Sequence, residues 1–180
     1  MNMNDRARPE TGMNRPETAA DTAGEDGQSF LELVELLFFA YRDFVGDPDR
    51  LLEDFGFGRA HHRVLHFVAR NPGLTIAELL TILKITKQSL NPVLKELIGK
   101  GYIDSRLGRE DRRQRHLYVS MLGKSLAQDL VTLQTRRMAR ATSECGPEAA
   151  QVARQFLAAM IEPSEREEAL RIAAAGGISR

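Results

Sequence analysis

The chain lacks the features that mark a secreted or membrane protein. Its 180 residues include one cysteine, Cys145, which cannot form a disulfide within the chain and fits a reducing compartment. No uncharged apolar run approaches the roughly 18 residues that cross a bilayer, and the N-terminus has no basic stretch followed by an apolar block. These absences predict a cytoplasmic protein that makes no contact with a membrane.

Catalytic and metal-binding signatures are also lacking. No phosphate-binding glycine loop, HExxH, G-x-S-x-G or CxxC pattern occurs in the sequence. His62 and His66 are four residues apart, with His61 beside them, but a structural zinc site needs about four ligands and Cys145 is far away along the chain. We therefore expect no enzyme activity, no cofactor and no metal, and we interpret these histidines as packing or pocket-lining residues.

Net charge is zero, because 25 basic residues balance 25 acidic ones, and this argues at first against a nucleic-acid-binding protein. The charges are, however, unevenly distributed. Residues 84–115 contain nine Lys or Arg and four Asp or Glu, so this segment has a local excess of five positive charges. The chain thus has one basic segment in an otherwise acidic protein.

The N-terminal part divides into a polar stretch and an apolar helix. Residues 1–27 contain almost no large apolar side chains, which predicts a disordered tail. From Phe30 to Val45, apolar side chains occupy more than one helical face, so we expect a helix buried on all sides that ends at Gly46 and Pro48. Two interpretations of the second face remain open: contact with another subunit, or burial in the chain's own core.

Two short amphipathic helices follow a helix predicted at residues 58–70. Thr75 and Glu78 have the spacing of a capping box at the start of one helix, and Thr86 is an N-cap candidate for the next. Gly99 and Gly101 supply the end of the second helix. Two such helices joined by a turn of a few residues are typical of a helix-turn-helix.

After residue 101 the hydrophobic period becomes that of strands. Residues 102–107 and 115–120 have strand character, and the segment 108–114 between them is too polar for a core and too basic for an ordinary turn. The pattern predicts a β-hairpin with a charged tip. Ser120 then caps a long predicted helix, and further helical segments begin near Gly146 and Pro163.

This order of elements resembles the MarR family of winged helix-turn-helix regulators. The resemblance spans residues 58–130 and is strongest in 74–80 (LTIAELL), 97–103 (LIGKGYI) and 111–115 (DRRQR). It implies a mostly α fold with a small β-wing, in which residues 56–120 form the winged helix-turn-helix domain and residues 28–55 and 121–176 form a helical dimerisation region. It also implies a homodimer on a pseudo-palindromic promoter site in double-stranded DNA, and a small-molecule effector bound between the two regions.

The candidate DNA-binding residues lie on the second helix of the motif and on the hairpin. Because only one face of the helix is apolar, its polar side chains can reach base edges and phosphates in the major groove. The hairpin arginines can lie along phosphates or enter a narrow minor groove, and Asp111 can hold one of them in position. The set comprises Thr86, Lys87, Gln88, Ser89, Asn91, Lys95, Arg109, Arg112, Arg113 and Arg115, with Asp111 as a supporting residue.

One residue departs from the family pattern. Pro92 stands where many members have a basic residue, and proline has no backbone donor, so the helix is expected either to begin after Thr86 or to bend. Two other functions stay open: a winged-helix module that binds protein, which the basic residues disfavour, and a regulator that responds to thiol oxidation or to a metal. For Cys145 we expect an inert or partly exposed thiol.

Overall fold

The computed structural model of the chain describes residues 25–108 and 114–175. Most of these residues are helical, and three short strands form a small sheet, so the predicted fold class, mostly α with a small β-wing, is confirmed. The elements are α1 (Glu25–Glu53), α2 (Arg59–Arg70), β1 (Leu74–Thr75), α3 (Ile76–Leu83), α4 (Lys87–Gly99), β2 (Ile103–Leu107), β3 (Arg115–Val119), α5 (Met121–Cys145), α6 (Ala149–Ala159) and α7 (Pro163–Ala175).

The chain divides into two compact units, and the first ends at Tyr41. The described part of that unit belongs to α1, and its large apolar side chains are exposed, from 42% for Leu37 to 68% for Phe38. Burial of this stretch in the chain's own core, one of the two interpretations above, is therefore wrong. Among the helices of the described ranges, none is both long enough and apolar enough to span a membrane.

Both predicted boundaries of α1 need correction. The helix begins at Glu25, so residues 25–27 of the predicted tail are helical, and residues 1–24 lie outside the described part. The helix also continues through Gly46 and Pro48 to Glu53. Pro48 and Leu52 are fully buried, and this packing offsets the backbone hydrogen bond that proline removes. Tertiary contacts thus override a local stop signal.

The second unit contains the helix-turn-helix and the wing. The sheet has the order β1-β3-β2 and is antiparallel throughout, with Leu117 of β3 between Leu74 of β1 and Ser105 of β2. The sequence did not predict β1, because two residues are too few to show a period. The predicted capping box at the start of α3 is confirmed, since Glu78 N–H donates to Thr75 Oγ1 at 3.2 Å and Thr75 N–H donates to Glu78 Oε2 at 2.8 Å.

In the core of this unit, one apolar face of each helix of the motif packs against the inner face of the sheet. The apolar residues that the sequence places at helical spacing on α2, α3 and α4 supply half of the buried core residues. Because α4 turns its leucines inward, its polar side chains point outward. The buried residues include Val64, Leu65, Val68, Leu79, Leu83, Leu90, Leu94, Leu97, Ile103, Leu117, Leu126 and Leu130.

The start of α5 lies against the base of the wing. Ser120 Oγ accepts from Gly123 N–H at 3.0 Å, which confirms Ser120 as the N-cap, and it donates to the carbonyl of Gly101 at 2.6 Å. Ser120 N–H donates to the carbonyl of Tyr102 at 3.0 Å. A Cβ at position 123 would lie 2.0 Å from that same carbonyl oxygen, so this approach of two backbones requires glycine.

Candidate nucleic-acid interface

The outward face of α4 presents most of the predicted helix residues together. Lys87, Gln88, Asn91 and Lys95 are exposed along the helix. Thr86 has a structural task, because its Oγ1 caps the helix by accepting from Ser89 N–H at 3.2 Å, and it lies 3.0 Å from Ser89 Oγ. The helix therefore exposes two amide and two ammonium side chains, while two hydroxyls secure its start.

Pro92 lies inside α4 without delaying its start. The helix runs from Lys87 to Gly99 with Thr86 as its cap, so the expectation that it begins later is wrong. Proline supplies no N–H to the carbonyl one turn earlier, at Gln88. The cap at Thr86 and the burial of Leu90, Leu94 and Leu97 hold the helix on both sides of this missing bond. At the position itself α4 presents an uncharged, exposed ring.

The turn between α3 and α4 is short because Lys84 adopts a left-handed backbone conformation. Its φ of 52° and ψ of 45° end α3, and its N–H donates to the carbonyl of Leu80 at 3.0 Å. Only Ile85 separates Lys84 from the cap residue Thr86. This geometry turns the chain directly from α3 into α4.

The wing is formed by β2 and β3 and carries exposed arginines. Arg106 stacks over the Tyr118 ring, with 4.6 Å from its guanidinium carbon to the ring centroid, and pairs with Asp104 at 3.3 Å. Arg115 is exposed in β3, opposite Leu107. The predicted residues at the tip lie outside the described residues; these are Arg109, Asp111, Arg112 and Arg113.

An open groove of about 930 Å³ lies between α4 and the wing. Asn91 and Lys95 line it from the helix, and Arg106 and Arg115 line it from the strands. Among the described lining residues, Asp104 is the one acid. The structure thus brings predicted residues of both elements to one basic concave surface, and it adds Arg106, which the sequence analysis counted only as part of the basic segment.

Comparison with known proteins identifies the family. Residues 55–114 match the sequence pattern of the MarR family. The chain is 45% identical over 155 residues to the HTH-type transcriptional regulator PetP of Rhodobacter capsulatus, which covers 82% of this chain and 93% of PetP. The chain belongs to the MarR family. It is a transcriptional regulator of that family and not an enzyme, as the sequence predicted.

Solved MarR-family structures share the fold. Streptococcus pneumoniae FabT, whose structure was solved in complex with DNA, superposes with a TM-score of 0.65 at 17% identity, covering 71% of this chain and 92% of FabT. A MarR protein from Peptoclostridium difficile superposes with a TM-score of 0.63 at 18% identity, covering 78% and 91% of the two chains. These likenesses confirm the winged-helix fold of this MarR-family chain.

Sequence reasoning missed a hydrogen-bond network at the C-terminal end of α4. His61 Nε2 lies 2.9 Å from Glu96 Oε2, and Lys100 Nζ lies 2.8 Å from Glu96 Oε1 and donates to the carbonyl of Phe55 at 3.0 Å. The bonds from Lys100 and then His61 hold the pKa of Glu96 below its usual value. We call this set the Glu96 brace, comprising His61, Glu96, Lys100 and the backbone of Phe55 and Gly58. His61 and Glu96 are 35 residues apart, so no local pattern reveals their contact.

The other two histidines of α2 are not arranged as ligands, and His62 is buried while His66 is half-buried. Burial lowers the pKa of His62, and it lowers the pKa of His66 to about 4, so the ring of His66 is uncharged at neutral pH. His66 lines a cavity, as the sequence analysis allowed. Within the described ranges there is no group of three or more His, Cys, Asp or Glu side chains placed to hold a metal ion, and Cys145 is exposed.

Proposed function

We propose that this MarR-family chain is a sequence-specific regulator that binds double-stranded DNA in the cytoplasm, with α4 in the major groove and the wing on the adjacent backbone or minor groove. The observation that carries the proposal is the two-sidedness of α4, which buries its leucines and exposes Lys87, Gln88 and Asn91 beside the basic groove. An α-helix fits the width of the major groove. The DNA complex of FabT, a protein of the same fold, supports this assignment.

The exposed side chains divide by chemistry into two tasks. The amides of Gln88 and Asn91 can each make two hydrogen bonds to an adenine edge and so discriminate sequence. The ammonium groups of Lys87 and Lys95 suit phosphate or guanine, and Ser89 lies at the helix start, where phosphates approach. We assign phosphate or minor-groove contacts to the wing on the basis of charge, through Arg115 and the tip residues Arg109, Arg112 and Arg113, with Asp111 in support.

We also propose that the protein acts as a homodimer. The exposed apolar side chains of α1 up to Tyr41 form one surface that water disfavours. A second apolar surface lies on α6 and at its C-terminal cap, where Val152, Phe156 and Met160 are 51–57% exposed. Exposed apolar surface of this extent marks an interaction site in a water-soluble regulator. A second copy of the chain would bury such apolar surface on both subunits, because a two-fold dimer uses the same surface of each subunit.

A two-fold dimer determines the form of the DNA site. Two recognition helices related by a two-fold axis require a pseudo-palindrome, with half-sites about 34–36 Å apart, one turn of the duplex. In this arrangement residues 28–55 and 121–176 act as the dimerisation region, and residues 56–120 act as the DNA-binding domain.

A small-molecule effector is the last part of the proposed function. A largely apolar cavity of about 650 Å³ lies between α2, α3 and α7, with Phe67, Ile82 and Ile172 among its lining residues. Its size is that of a ligand site, and its walls come from the helix-turn-helix and from the C-terminal helix. A compound that binds here is expected to raise the melting temperature and to change the affinity for DNA.

Selection of bound sequences from random duplex DNA tests the proposal. We expect an inverted repeat, and a particle twice the monomer mass of 20.1 kDa in sedimentation. Gln88→Ala should weaken binding to the selected site by roughly 5- to 150-fold, the range of a lost two-bond base contact, and should leave binding to random DNA nearly unchanged. Gln128→Ala, a change of the same kind at an exposed position of α5, is the matched control. Selection without any preferred sequence would contradict the proposal.

A further inference from the structure

The hydrogen bonds of His61 determine which of its ring nitrogens carries hydrogen. Gly58 N–H donates to His61 Nδ1 at 3.1 Å, so Nδ1 is the acceptor and the ring hydrogen lies on Nε2. That N–H donates to Glu96 Oε2 at 2.9 Å. The ring also stacks on Phe57, with 4.8 Å between the centroids and 23° between the planes. The hydrogen bond from Gly58 and the stacking on Phe57 therefore orient the imidazole independently of its contact with α4.

The Glu96 brace also explains why α4, the helix proposed to bind DNA, carries an acidic residue. A carboxylate on an element that approaches phosphates opposes binding, unless its charge is compensated. Each oxygen of Glu96 has a donor, Lys100 Nζ on Oε1 and His61 Nε2 on Oε2. Lys100 in turn binds the carbonyl of Phe55 and lies 4.5 Å from the centroid of the Phe57 ring. The Glu96 carboxylate therefore links Lys100 and His61 through hydrogen bonds and is not a charge directed at DNA.

Two contacts of the brace, His61 with Glu96 and Lys100 with the carbonyl of Phe55, connect the C-terminal end of α4 to residues 55–61. This stretch contains the link from α1 to α2, and α1 carries the apolar surface assigned to the dimer. We infer that His61 is a positioning residue for DNA recognition, which through Glu96 sets the angle between the recognition helix and the α1–α2 link, and so the spacing of the two recognition helices in the dimer. This inference rests on the proposed function.

The test compares two duplexes rather than overall affinity. One carries the selected inverted repeat. The other carries the same repeat with one base pair inserted at its centre, which moves the half-sites about 3.4 Å further apart and rotates one relative to the other by roughly 35°. His61→Phe keeps an aromatic ring against Phe57 and removes the donor to Glu96. We expect the preference of the wild type for the correct spacing to fall about fivefold in this variant. Binding to random DNA should not change.

Two further variants make the test specific. His61→Gln retains a side-chain N–H donor and should restore most of the spacing preference. Glu96→Gln weakens the brace without altering the half-buried ring of His61. Glu144→Gln is its matched control, since Glu144 forms an i,i+4 pair with Arg140 on α5, as Glu96 does with Lys100 at the end of α4. Glu96→Gln should lower the spacing preference and Glu144→Gln should not.

The outcomes separate this inference from the proposed function. A wild-type protein that prefers no duplex sequence would overturn the proposed function. A wild type that prefers the correct spacing, together with folded His61→Phe and Glu96→Gln variants that keep the full preference, would overturn the role of the brace. Should His61→Phe fail to fold, Glu96→Gln alone decides.

Discussion

Gly123→Ala is expected to destabilise the protein, although alanine is the better helix former. Gly123 lies in the first turn of α5, where an added Cβ would be 2.0 Å from the carbonyl oxygen and 3.0 Å from the carbonyl carbon of Tyr102. Ordinary contacts between such atoms are about 3.5–4.0 Å. One of the two backbones must therefore move by more than about 1 Å, and neither atom belongs to a flexible side chain.

Two opposing terms determine the magnitude. Replacing glycine by alanine within a helix is worth about 1 kcal/mol in favour of folding. Overpacking opposes folding by about 1–3 kcal/mol, and the upper end applies because the Tyr102 carbonyl is also held by Ser120 N–H at 3.0 Å. The net loss in the free energy of unfolding is then about 2 kcal/mol, or a fall in melting temperature of roughly 4–8 °C.

Urea unfolding followed by circular dichroism, at one protein concentration for all variants, measures this loss. Gly99→Ala is the matched control, because Gly99 also lies in a helix but an added Cβ there meets no atom within 4 Å. It should be as stable as the wild type or slightly more so. If Gly123→Ala proved as stable as Gly99→Ala, the close approach of α5 to the wing would be refuted.

Two other changes test the N-cap of α3 and the half-buried His66. Thr75→Ala removes the acceptor for Glu78 N–H and a donor to the Glu78 carboxylate, and should lower the free energy of unfolding by about 1 kcal/mol. Thr81→Ala is its control and should have a smaller effect, because the Thr81 hydroxyl donates only to a carbonyl within the same helix. The pKa of His66 falls from 6.5 to about 4 on folding, so its contribution to stability is complete above pH 6.5 and is lost as the pH falls towards 4. His66→Leu should flatten that part of the stability profile, and an unchanged slope would show that other groups cause it.

Local patterns were sufficient for the elements that depend on nearby residues. The capping box of Thr75 and Glu78, the N-cap at Thr86 and the hairpin between residues 103 and 119 each involve groups close together in sequence, and all are present in the structure. The inward leucines of α4 were predicted for the same reason, since helical spacing alone defines a face.

The tertiary structure decided the features whose partners are distant along the chain. The continuation of α1 through Pro48 depends on burial, the strand β1 depends on pairing with β3, and the need for glycine at 123 depends on a carbonyl 21 residues earlier. His61 shows the limit best, because the sequence predicted only a packing or pocket-lining role for it. The proposed role of His61 depends on Glu96, whose Oε2 lies 2.9 Å from His61 Nε2 because α2 and α4 pack together. Local sequence patterns do not predict that packing.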